Sequence, residues 1–227
     1  MVLLQTLGTV ILARLLTPED FGLISMVLVV TNLGHLLRQA GMSTATIPQK
    51  QLTHEQVSTL FWANALLSGL LGVVLASASP LVAAFFHEPR LVGVTVALAL
   101  GFTITGFASQ HVALLQRSLF FRSVALTLVV PQVVYVATAV VLALSGWGYW
   151  ALVGGAVLQA VSTVFVALML CRWIPGRPRR GVGAGRMLRF GGHVFGFNAV
   201  SYFSSNLDNI LIGRYLGSEA VGLYAKA

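Results

Sequence analysis

The stretch Phe121-Arg-Ser-Val-Ala-Leu-Thr-Leu-Val-Val-Pro-Gln-Val-Val-Tyr-Val-Ala-Thr-Ala-Val-Val-Leu-Ala-Leu144 carries a single charge, at Arg122. Crossing the roughly 30 Å of bilayer hydrocarbon takes about 20 apolar residues in a helix. Lipid offers bare backbone groups no partners, and the run lacks the period-2 alternation of a barrel strand, so it reads as a membrane-spanning α-helix. The pattern repeats outward in both directions: Val2–Leu16, Phe21–Leu37, Val57–Ser77 with an apolar continuation through Pro80 to Phe86, Leu91–Leu115, Trp150–Leu170 and Phe190–Ile212. A composition of 57% hydrophobic and 9% charged residues agrees. The expected fold is all-α, a polytopic transmembrane helical bundle.

Lys and Arg in short loops are retained on the cytoplasmic side. Alternate loops hold Arg38 and Lys50, then Arg117 and Arg122, then Arg172, Arg177, Arg179, Arg180, Arg186 and Arg189. The other side holds Arg14, Arg90, Arg214 and Lys226, together with the acids Glu19, Asp20, Glu88 and Glu219. The basic side is therefore expected in the cytoplasm, with the first helix running outward, in a multi-pass protein of a bacterial inner membrane.

The net charge of +8 is not a nucleic-acid footprint. The arginines of 172–189 are interleaved with prolines and glycines, not with the aromatic residues on which bases stack, and suit a loop facing lipid headgroups. A lone cysteine, Cys171, excludes an intrachain disulfide and a thiolate zinc cluster. His35, His54, His87, His111 and His193 have no metal-ligand spacing, and neither a phosphate loop nor a nucleophile–base set is recognisable. No metal, cofactor or enzymatic activity is expected.

Arg14-Leu-Leu-Thr-Pro-Glu-Asp-Phe-Gly-Leu23 and Arg214-Tyr-Leu-Gly-Ser-Glu-Ala-Val-Gly-Leu223 share Arg, Leu, Glu, Gly and Leu at a constant offset of 200 residues. The seventh helix is thus expected to be a second copy of the first. An even number of helices separates the copies, so the repeat is parallel, as in transporters built from two lobes about an axis along the membrane normal. The expected organisation is a six-helix lobe over 1–173, a basic cytoplasmic loop over 174–189, and a truncated first helix of a second lobe over 190–227.

Four segments carry a family resemblance: Ile11-Leu-Ala-Arg-Leu-Leu-Thr-Pro-Glu-Asp-Phe-Gly22, Leu52-Thr-His-Glu-Gln-Val-Ser-Thr-Leu-Phe-Trp62, Gly148-Tyr-Trp-Ala-Leu-Val153 and Asn206-Leu-Asp-Asn-Ile-Leu-Ile-Gly213. The chain resembles polysaccharide and lipopolysaccharide exporters of the colanic-acid (Wzx) type, in the multidrug/oligosaccharidyl-lipid/polysaccharide (MOP) superfamily. The resemblance implies two lobes, alternating access, and transfer of undecaprenyl-diphosphate-linked oligosaccharide units between leaflets for exopolysaccharide or O-antigen biosynthesis. Membrane lipids, a polysaccharide polymerase and glycosyltransferases are the partners that go with it. Two other readings stay open here: a cation-coupled multidrug or toxin antiporter of the same superfamily, and a non-transporting membrane scaffold.

In the seventh span Asn198, Ser201, Ser205 and Asp208 follow the spacing of one helical face, widened by Asn206 and Asn209. Such a face must look into a cavity or onto another helix. Asp208 is the one acid within an expected span, which makes it a candidate coupling residue, against an alternative as an interfacial carboxylate. His35 and Arg38, near the cytoplasmic end of the second span, are diphosphate-binding candidates, with headgroup anchoring of Arg38 as the competing role. Gln110 and Gln159 are candidate lining of the same path, against plain helix-to-helix hydrogen bonding. Pro131 is expected to kink or hinge the fifth span.

Overall fold

The computed structural model describes residues 2–38, 53–178, 206–208 and 210–224. Seven named helices follow one another: α1 Val2–Leu15, α2 Pro18–Arg38, α3 His54–Ser77, α4 Ser79–Phe86, α5 Leu91–Arg117, α6 Phe121–Leu144 and α7 Trp150–Cys171. Residues 206–208 and 210–224 are helical as well, and no strand occurs among the described residues. Four helices, α3, α5, α6 and α7, are long and apolar enough to cross a membrane. The chain is an all-α, multi-pass membrane bundle.

Local chemistry sets the helix ends beyond the apolar runs. Thr17 and Asp20 cap α2 reciprocally: the Asp20 amide donates to the Thr17 hydroxyl at 3.3 Å and the Thr17 amide to the Asp20 carboxylate at 2.9 Å. Pro18 takes the first helical position, where its missing N–H leaves no orphan. Thr53 and Gln56 form the same reciprocal cap on α3. Both helices therefore begin about a turn before the expected spans at Phe21 and Val57. The continuation from Ser77 to Phe86 is a separate helix, because the chain breaks at Ala78 and restarts with Pro80 in its first turn. α6 runs through Pro131, which cannot donate to the Thr127 carbonyl one turn back.

The helices alternate in direction, so loops collect at two ends. At one end Arg90 bonds both Glu19 and Glu88, joining the start of α2 to the α4–α5 loop. At the other, the Trp173 indole donates to His54 Nδ1 at 3.2 Å, joining the exit of α7 to the start of α3. Leu23, Met26, Phe86, Leu91, Val94 and Val153 form the main apolar core. Leu66, Leu81, Phe121 and Leu144 lie 70–75% exposed on the outside, an arrangement suited to hydrocarbon. Because lipid is as apolar as leucine, cohesion rests on close packing and interhelical hydrogen bonds. Between α3 and α5, a Cβ on Gly106 would collide with the Ser68 side chain and one on Gly72 with the Thr103 hydroxyl.

The last described segment turns back on itself. The Tyr224 hydroxyl donates to the Asp208 carboxylate at 2.6 Å, although sixteen residues along a straight helix would span about 24 Å. The chain therefore doubles back, and Gly217, with φ 84°, supplies the left-handed residue the reversal needs. Position 17, 200 residues earlier, is where α1 gives way to α2. The helix of the seventh expected span thus extends past Ile212 to this reversal.

Candidate substrate path

Two half-open cavities lie between the helices. The larger, about 430 Å³, is walled by α1, α2, α5, α6 and α7, and its polar lining is Gln5, Thr9, Gln132, Tyr135 and Gln159. The smaller, about 230 Å³, lies between α2, α5 and α7 with Thr31, Thr105, Gln159 and Thr163 as its polar lining. They share Leu28, Leu98, Ala156 and Gln159, so Gln159 stands between the two chambers.

Helical periodicity places these groups. Gln5 and Thr9 are one turn apart on α1, as Gln159 and Thr163 are on α7. Gln159 Nε2 donates to Gln132 Oε1 at 3.1 Å, tying α7 to α6 across the cavity wall. That bond leaves Gln159 with a free amide oxygen and Gln132 with a free NH2 group to offer. The hydroxyls of Thr31 and Thr163 donate to carbonyls one turn back, Val27 and Gln159, and so offer acceptor lone pairs. No charged residue is found among the described lining. An interior of amide and hydroxyl groups with spare acceptors matches the hydroxyl hydrogens of a sugar, and lacks the cations that would hold a phosphate.

The expected site residues separate. Gln159 lines both cavities. Gln110 is fully buried on the α5 face that carries Gly106 one turn earlier, against α3, and is not among the lining residues of either cavity. Asp208 is exposed and bonded to Tyr224 across the arms of the chain reversal, and Asn206 is half-buried one turn from Ile210. His35 and Arg38 fall in the last turns of α2, but their side chains lie outside the described residues, as do Asn198, Ser201, Ser205 and Asn209.

Gln132, Tyr135, Gln5 and Thr9 join the path without having been expected there. Gln132 had a signal in the sequence, as the one amide in an otherwise apolar span, adjacent to Pro131.

Polar clusters stand at the two ends of the bundle. At the Glu19 end, Arg90 Nε and Nη2 meet the two Glu88 oxygens at 2.8 Å each, and Nη2 also bonds Glu19. The guanidinium hydrogen bonds hold the Glu88 carboxyl below the usual carboxylate range. At the Trp62 end, residues 173–176 fold back over α3. The Trp62 indole donates to the Gly176 carbonyl at 2.9 Å, the Gly176 amide donates to the Ser58 hydroxyl at 2.9 Å, and His111 sits 3.2 Å from the Trp173 carbonyl.

Comparison with known proteins completes the picture. Residues 11–227 match the family model described as polysaccharide biosynthesis protein. The teichuronic acid biosynthesis protein TuaB of Bacillus subtilis is 29% identical over 86% of this chain and 41% of its own length. The lipopolysaccharide biosynthesis protein WzxC of Escherichia coli is 27% identical over 94% of this chain and 44% of its own. The succinoglycan biosynthesis transport protein ExoT of Rhizobium meliloti is 26% identical over 96% and 44%. This chain therefore spans less than half the length of these relatives. No solved structure matches it. With the match running through all but the first ten residues, the chain belongs to the polysaccharide biosynthesis protein family.

Proposed function

We propose that this chain forms part of an exporter that carries a lipid-linked oligosaccharide across the bacterial inner membrane for surface polysaccharide synthesis. The observation that carries the reading is the uncharged amide and hydroxyl cavity around Gln132 and Gln159, at mid-depth in an otherwise apolar bundle. An apolar drug would find too many polar groups there, and an organic cation would find no carboxylate among the described lining. The names of WzxC and ExoT support the same direction. In this reading residues 1–173 are the first lobe, 174–189 the connecting loop and 190–227 the start of the second. The lobes alternate access by rocking about their contact at the Glu19 end. The lipid carrier is a polyprenyl diphosphate, and polymerase and glycosyltransferases act before and after transport.

The test replaces both Gln132 and Gln159 with Leu in the full-length protein of a strain lacking the native gene. Surface polysaccharide is expected to fall at least about tenfold at unchanged membrane levels of the protein, because the two Leu side chains dry the cavity. Normal polysaccharide would make the cavity a packing defect rather than a path.

A further inference from the structure

The amide pair at the larger cavity fixes what the protein can offer there. Gln159 Nε2 donates to Gln132 Oε1 at 3.1 Å, and both side chains line the cavity. Whichever way the two amides are turned, one amide-to-amide bond leaves the pair a carbonyl oxygen on one residue and an NH2 group on the other. Close packing holds them in place: a Cβ on Gly155, one turn before Gln159, would stand 3.1 Å from both Cδ2 and the carbonyl oxygen of Tyr135. α7 therefore lies against the α6 backbone just beside the bond. Tyr135, three residues beyond Gln132, lines the same cavity. Leu28, Leu98 and Ala156 line both cavities together with Gln159, so apolar surface adjoins the amides. No charged side chain is found among the described lining.

A separate donor and acceptor beside apolar surface are the complement of a secondary amide. A ring hydroxyl is donor and acceptor at one atom and has no methyl to bury, whereas an acetamido group carries a carbonyl oxygen, an N–H and a methyl at three places. A carboxylate would meet no cation in this lining, and an ammonium no carboxylate. We propose that the cavity seats the acetamido group of an N-acetylated sugar: Gln132 donates to its carbonyl oxygen, Gln159 accepts from its N–H, and its methyl lies against Leu28, Leu98 and Ala156. The inference rests on the export reading above for its cargo and adds a choice among cargoes. A sugar without the amide N–H leaves a desolvated carbonyl oxygen stranded, which is how a polar site rejects a near-identical analogue.

The full-length protein, in a detergent without sugar head groups, is offered methyl β-glucosides that differ only at C2, where they carry acetamido, hydroxyl or O-acetyl. Saturation-transfer NMR titration reads the binding. The acetamido glycoside is expected to bind at least about tenfold more tightly than the other two, with the strongest transfer at its acetyl methyl. The O-acetyl ester is the decisive probe, because it keeps the carbonyl and the methyl and lacks only the N–H. Replacing both Gln132 and Gln159 with Leu is expected to abolish the preference. The comparison of the three probes needs no variant, so it stands whatever the Leu pair does to packing. Equal binding of the three, no binding of the acetamido glycoside, or an unchanged preference in the Leu pair overturns the proposal. If the proposal fails while the Leu pair still abolishes surface polysaccharide, the export reading stands. A clear acetamido preference with normal surface polysaccharide in the Leu pair fails the export reading instead and leaves an acetamido site without that cargo.

Discussion

Gly22 and Gly222 cross so closely that neither has room for a side chain. A Cβ on Gly22 would fall on the Ser218 carbonyl oxygen, and one on Gly222 would fall on the Pro18 carbonyl oxygen and stand 3.1 Å from the Gly22 amide nitrogen. Subtracting the repeat offset of 200 turns each contact into the other. Reciprocal contact of equivalent residues is the signature of a two-fold axis. The axis required by a parallel repeat would run between these turns, and both then lie at the Glu19 end.

Replacing either glycine by Ala is therefore expected to push the same crossing apart. Gly22→Ala and Gly222→Ala should each destabilise by about 1–3 kcal/mol, as overpacked sites do, and by similar amounts. The double variant should cost clearly less than the sum, because both substitutions disrupt one contact. Thermal unfolding in detergent reads all three. Strict additivity would mean the two glycines serve separate contacts.

The Gln132–Gln159 pair separates stability from function. Gln159→Leu alone strands the Gln132 oxygen, which should cost about 1–3 kcal/mol, whereas replacing both with Leu should be close to neutral for stability. Export should follow the opposite logic and fall most in the double variant. A stable double variant with full export would reduce the pair to helix-to-helix adhesion.

Hydropathy made the helices legible because it measures what a bilayer selects, and the Arg, Leu, Glu, Gly and Leu shared by the two turns are what pointed to a repeat. It could not place the polar first turns of α2 and α3, which stand outside the apolar runs and are set by Thr17–Asp20 and Thr53–Gln56. Nor could it divide α3 from α4, since the break at Ala78 is a backbone event in an unbroken apolar run. Gln110 and Gln159 look alike in sequence, each an amide within an apolar helical run. Only the neighbour differs: α3 covers the first, and a cavity faces the second. The Asp208–Tyr224 bond follows no helical spacing and became visible only once the chain was seen to reverse at Gly217.

Stability at the Glu19 end should depend on acid. Glu88 has its carboxyl pKa lowered in the fold, so its contribution is present above the ordinary value of 4.5 and is lost as pH falls through the depressed one. The groups are partly exposed, which keeps the effect at about 1 kcal/mol or less. Glu88→Gln should remove that share of the acid sensitivity, read as the change in unfolding temperature between neutral pH and pH below about 4. An unchanged acid profile would mean Arg90 is served by Glu19 alone.

The clamp at the Trp62 end holds the root of the arginine-rich stretch, and protease should report on it. Arg172 is exposed and stands directly before residues 173–176, where the Gly176 carbonyl and amide are taken by Trp62 and Ser58. Trp62→Phe keeps an aromatic ring and deletes the donor. One lost hydrogen bond is worth about 0.5–1.5 kcal/mol, so the segment should open about two- to tenfold more often. Cleavage after Arg172 by limiting trypsin should quicken by the same factor if opening and closing are fast relative to cleavage. The asymmetry of basic residues adds a direction: this cleavage should occur in inside-out membrane vesicles and not in right-side-out ones. Cleavage in right-side-out vesicles alone would reverse the expected orientation, and an unchanged rate in Trp62→Phe would leave the segment held by Ser58 and His111 without help from the indole.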